Sequence, residues 1–143
     1  MGQVSTFLSD VKTRTEAVMN GGSVAFLRVW VAPFLDVERL LSIPRWPAAV
    51  IFDNGGSLDP HNGKIWTRQF SVAILTSHPR DHIGEETTHN ILDLGELLMT
   101  ALEYDTTIEI FNAGDDDLEA IGVDESIMVL VKTYRFTAQF ERS

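Results

Sequence analysis

The residues best equipped for chemistry are His78, Asp81, His82, Glu85, Glu86 and His89, gathered around the start of one segment. On a helix, His82, Glu86 and His89 stand at i, i+4 and i+7 and share a face. Histidine and carboxylate at that spacing can ligate zinc or iron. The spacing is not the His-Glu-x-x-His pattern of metalloproteases. Gly84 follows His82 closely and places it ahead of the helix. Acidic residues also collect at helix starts because they complement the positive end of the dipole. A metal-dependent enzyme built on His82, Glu86 and His89 therefore stands as an alternative. The expectation is a non-enzyme with no catalytic residue, no metal ligand and no cofactor.

Other constellations fail on spacing. Asp115, Asp116 and Asp117 with Glu119 are rich in carboxylates. A calcium loop started at Asp115 needs glycine where Ala120 stands and glutamate where Ser126 stands. Started at Asp117, it meets Gly122 but then Met128. Gly55-Gly56-Ser57 is followed by no Gly-Lys-Ser/Thr, so it is no phosphate loop. No serine sits in a Gly-x-Ser-x-Gly elbow. With no cysteine in the chain, thiol catalysis, disulfides and zinc–thiolate sites are excluded. Trp66, Phe70, Tyr134 and Phe136 could stack on single-stranded bases, but basic residues do not interleave them; they fit a core or a subunit interface better.

The elements that must carry these residues are legible from periodicity. Val4, Phe7, Leu8, Val11, Thr15, Val18 and Met19 fall at helical spacing, and Asn20-Gly21-Gly22 closes that helix. Residues 24–31 read as a central strand, apolar on both faces, and residues 34–42 contain a short helical turn. Residues 48–52 form a short apolar strand. A loop of turn residues follows over 53–63, holding Asn54, Asp59 and His61. A long strand covers 64–76 and a polar link 77–82. A helix over 85–103 buries Thr88, Ile91, Leu92, Gly95, Leu98, Met99 and Leu102. A short strand over 107–111, an acidic loop over 112–119 and a long strand over 126–139 complete the chain. The long strands at 64–76 and 126–139 are each buried on both faces at one end and half-polar at the other. The expectation is a single α+β domain over 1–143, a mostly antiparallel sheet with two main helices packed on one face.

At 143 residues and 44% apolar content, the chain can bury a real core. Its apolar runs are too short to span a membrane, and its first residues lack the basic and apolar regions of a signal peptide. Gly2 and Thr6 match part of a short, common myristoylation pattern. The net charge of −10 argues against phosphate-driven nucleic-acid binding. It either keeps the protein soluble and nothing more, or suits a surface past which DNA must slide without sticking.

Several segments together resemble a known family. They are Pro-Ala-Ala-Val-Ile-Phe at 47–52, Arg-Gln-Phe-Ser-Val-Ala-Ile-Leu-Thr at 68–76, and His-Asn-Ile-Leu-Asp-Leu-Gly-Glu-Leu-Leu-Met-Thr-Ala-Leu at 89–102. The last is Val-Lys-Thr-Tyr-Arg-Phe-Thr-Ala-Gln-Phe at 131–140. In this order the chain resembles the tail terminator (tail completion) and neck proteins of long-tailed bacteriophages, most clearly over residues 44–143. The resemblance implies a virion subunit, present in the host cytoplasm during assembly. It would form a homo-hexameric ring that caps the tail tube and offers a docking surface to the head. Its implied partners are its own copies, the tail tube protein, the sheath and head–tail connector proteins. Genomic DNA would pass through the lumen without specific binding. Under this reading Trp66, Arg68, Phe70, Tyr134, Phe136 and Phe140 are expected at subunit contacts. Asn54, Asp59, His61, Asp115, Asp116 and Asp117 are expected on loops toward partners or the lumen. Another tail-tube or connector component is the alternative within the same class. A dimeric ligand-binding domain with a closed apolar pocket is a third reading.

Overall fold

The computed structural model describes residues 2–33, 35, 46–61, 63–79, 84–103, 109–122 and 127–142. Helix α1 (Gln3–Glu16) buries Phe7, Val11 and Thr15, a stripe with one residue per turn. Just past it, β1 (Met19–Asn20) and β2 (Ser23–Val24) form a small hairpin through Gly21-Gly22. Both turn glycines have positive φ, the conformation a two-residue hairpin turn of this twist demands.

That hairpin divides the strand expected over 24–31. Val24 stays in β2, Ala25 and Phe26 turn into the core, and β3 (Arg28–Val31) begins afterwards. The backbone N–H of Leu27, between them, donates to the Pro47 carbonyl. β3 is an edge strand rather than a central one, paired in parallel with β4 (Ala48–Leu58). The helical turn expected over 34–42 lies outside the described residues apart from Leu35.

β4 also departs from expectation, because it does not stop at Phe52. It pairs antiparallel with β5 (Ile65–Pro79) out to Leu58, absorbing Asn54 in a β-bulge between Asp53 and Gly55. Gly55 takes a φ of 99°, which a side-chain-bearing residue rarely adopts. The loop expected over 53–63 thus shrinks to the turn after Leu58. β5 in turn runs past Thr76 into the presumed link, and His78 is buried there with Nδ1 3.0 Å from the Thr87 hydroxyl.

Helix α2 (Glu85–Glu103) forms where expected. Its buried stripe is Ile91, Leu94, Gly95, Leu98 and Leu102; Leu92, expected inside, is exposed. β6 (Glu109–Asp115) extends past the predicted end at 111 through a second bulge, where Gly114 has a φ of 135°. β7 (Glu119–Gly122) follows three residues later. Both pair with β8 (Ile127–Glu141), so most of the expected acidic loop is strand.

The main sheet runs β3-β4-β5-β8-β6, with β7 beside β8, and every pairing except β3–β4 is antiparallel. This is the expected α+β architecture. Residues of both helices join one core cluster with Ile51, Phe70, Val72, Ile74, Tyr134 and Phe136. On the opposite face Val50, Ala73, Leu75, Val129 and Val131 form a smaller cluster with Trp30, Trp46, Phe52 and Ile121. No helix among the described residues is long and apolar enough to cross a membrane.

Candidate assembly surface

Strand alternation puts Trp66, Arg68 and Phe70 on one face of β5, and Tyr134, Phe136 and Phe140 on the same face of β8. That is the face under α1 and α2. Phe70 and Phe136 stack with ring centres 5.2 Å apart, and Phe7 of α1 meets Phe70 edge-on at 5.4 Å. Phe7 also touches Phe140 at 5.2 Å, and Phe140 touches Trp66 at 5.9 Å. The result is a continuous aromatic spine roofed by α1.

The expectation that these residues meet a neighbouring subunit is therefore corrected for three of them. Phe70 is 0% exposed, Phe136 1% and Tyr134 3%, all within this chain's own core. Sequence reasoning could not separate the two cases, since a core and an interface recruit the same apolar side chains. Phe140 is partly buried against that core, and Trp66 is partly buried beside Phe140. Arg68 is held by Asp53 of β4 at 2.5 Å and lies 5.5 Å from the Trp66 ring. Arg142 approaches the same ring at 5.8 Å.

Most of the residues expected on projecting loops also find partners inside the chain. Asn54 is in β4, where its side-chain amide donates to the Ser71 hydroxyl at 2.5 Å. The Asp59 carboxylate accepts the His61 backbone N–H at 2.8 Å, closing the turn after β4. Asp115 belongs to β6 and pairs with Lys132 at 3.1 Å; Asp116 pairs with Arg135 at 3.5 Å. Lys132, 8% exposed, also donates to the Asp116 carbonyl. Asp117 is exposed between β6 and β7.

Tyr134 is pressed under α2, where a Cβ on Gly95 would land inside its hydroxyl. This close approach accounts for a glycine in mid-helix. Burial pushes the Tyr134 phenol above its ordinary value, with Asp115 and Glu96 adding to the rise.

In the histidine-rich segment, His82 lies outside the described residues. Glu86 and His89 are exposed on α2, with His89 3.9 Å from Glu85. Among the described residues no group of three or more His, Asp or Glu could hold a metal ion.

What the sequence did not disclose is how four strands line up on the other face at the same end of the sheet. There Ser57, Thr67, Gln139 and Glu109 form one cross-strand row. Gly55, Gln69, Thr137 and Phe111 form the next. Gln69, Gln139 and Glu109 are exposed, and Phe111 is 46% exposed. The band is also open at both sides. β3 pairs with β4 only over Ala48–Ile51, so among the described residues no strand covers the outer edge of β4 beyond Phe52. None covers the outer edge of β6. The alternation of Thr, Gln and Arg along β5 and β8 signals a half-polar face. Nothing local signals which strands end up at the edges.

No protein-family model matches the chain, and a search of curated proteins gives no match.

Proposed function

We propose that the chain is a ring-forming structural subunit of a long-tailed bacteriophage, a tail terminator or neck protein. In this role six copies would close into a ring on the tail tube and present a docking surface to the head. The observation that carries the proposal is the four-stranded band β4-β5-β8-β6, with one polar face and two outer edges that nothing among the described residues covers. Exposed edges are a hazard in a monomer and a resource in an assembly. The resemblance of the segments at 47–52, 68–76, 89–102 and 131–140 supports the same role. A net charge of −10 per subunit suits a channel through which DNA slides without adhering. The role assigns no reaction and no cofactor to the chain. Its partners would be its own copies, the tail tube, the sheath and head–tail connector proteins, in the virion.

Light scattering across a range of protein and salt concentrations tests the proposal. A mass rising toward six times the 16.0 kDa subunit is expected. Like-charged subunits repel, so assembly should be favoured as the screening length falls to about 10 Å near 0.1 M salt. A fixed monomer under all these conditions, also in the presence of purified tail tubes, would overturn the role.

A further inference from the structure

We infer that copies of this chain join edge to edge, β6 of one copy adding antiparallel to the distal half of β4 of the next. The inference rests on the ring reading above and names the surfaces that would make the ring.

Strand parity is the first argument. β4, β5, β8 and β6 alternate in direction, so the band has an even number of strands and its outer strands run opposite ways. Head-to-tail repetition of such a band brings β6 against β4 in antiparallel orientation, with every copy pointing the same way. An odd number of alternating strands would have produced a parallel junction.

The two free runs also match in level and length. Glu109, Ile110 and Phe111 lie in the same rows as Ser57, Gly56 and Gly55. At the bulge end of the runs carboxylates take backbone N–H groups, on β4 that of Gly55, the last residue of its run, and on β6 that of Asn112, just past its run. Asp53 accepts the Gly55 N–H at 3.3 Å, and Glu103 of α2 accepts the Asn112 N–H at 2.8 Å. Both bulges sit at the same end of their runs, between Asp53 and Gly55 and between Asn112 and Gly114. Pairing is thereby confined to one short register.

The side chains are compatible in that register. Phe111 would face Gly55 of the neighbour, where the missing side chain leaves room for an exposed ring. Leu58, 37% exposed, would be shielded at the same junction. Neither run carries the lysine or proline that commonly guards a sheet edge, and Glu109 is the only charge in either. In a chain of net charge −10, this low-charge strip is where a like copy meets little repulsion.

The chain has no cysteine, so engineered pairs report cleanly. Ser57→Cys, Glu109→Cys and the double variant would be oxidised at concentrations where light scattering detects assembly. The expected result is a ladder of multimers ending in a closed species for the double variant, and no cross-link for either single variant. A cross-link found instead in a Ser57→Cys/Phe111→Cys pair would mean a two-residue shift and would overturn the register argued above. Dimers from a single variant would mean two-fold pairing of like edges and overturn the inference. A ring by light scattering with no cross-link in either double variant would overturn the inference and leave the ring reading standing. No assembly by the wild type in any condition would remove both.

Discussion

The two faces of the β5–β8 ribbon are built from neighbouring residues of the same strands, yet their fates differ. Even-numbered positions carry Phe70, Val72, Tyr134 and Phe136, which lie under the helices and lose nearly all contact with solvent. Odd-numbered positions at the same end carry Thr67, Gln69, Thr137 and Gln139, which no helix among the described residues covers. The first face makes the subunit, because burying large aromatic rings supplies much of the free energy of folding. The second contributes little to folding, and under the role proposed above it is the face open to partners. If the chain assembles as proposed, the polar face and its edges are the place to seek the interface, since the apolar face is already buried.

The contrast breaks most decisively at the aromatic spine. Phe136→Ala should cost about 3–5 kcal/mol of folding stability, as removal of a buried phenylalanine does. Urea denaturation would read it, and a loss below about 1 kcal/mol would mean the spine is not core. Phe136→Asp should abolish folding of the subunit altogether, so it cannot serve as a selective test of ring formation.

A smaller effect is expected at the crossing of α2 over Tyr134. Gly95→Ala improves helix propensity by about 1 kcal/mol, yet it drives a methyl group into the phenol. Net destabilisation of about 1–3 kcal/mol is expected from overpacking. A stabilised variant would show that the helix can move away at little cost.

The same tyrosine gives a pH signature. Its folded-state pKa lies above the unfolded value near 10, so above that pH the folded chain retains a proton the unfolded chain has lost. The contribution is fully present below the unfolded value and is lost as pH rises through the folded one. Stability measured from pH 9 upward should therefore decline, and Tyr134→Phe should flatten part of that decline. An unchanged slope in the variant would assign the decline to other groups.

The smallest effect belongs to the open face. Gln69→Ala or Gln139→Ala should change subunit stability by no more than about 0.5 kcal/mol. A loss above about 1 kcal/mol in an isolated subunit would erase the distinction between the faces.

Much of the architecture is fixed by local pattern. Helical spacing of Phe7, Val11 and Thr15 determines α1, and the spacing of Ile91, Leu98 and Leu102 determines α2. Alternation marks β5 and β8 as long strands, each with a fully buried end and a half-polar end. The absence of cysteine is equally a property of the sequence alone.

Tertiary structure decided the rest. Asp53-Asn54-Gly55-Gly56 reads as a turn, yet it is strand because the bulge lets β5 supply its backbone partners and Arg68 neutralises Asp53. Glu119–Gly122 is strand because β8 lies beside it; of its four residues only Ile121 favours that form by itself. The spine was legible as apolar but not as internal, since only the docking of Phe7 from α1 closes it. Periodicity tells which side chains must leave water. What they leave it for, and which backbone edges stay unpaired, depends on contacts between residues far apart in the chain.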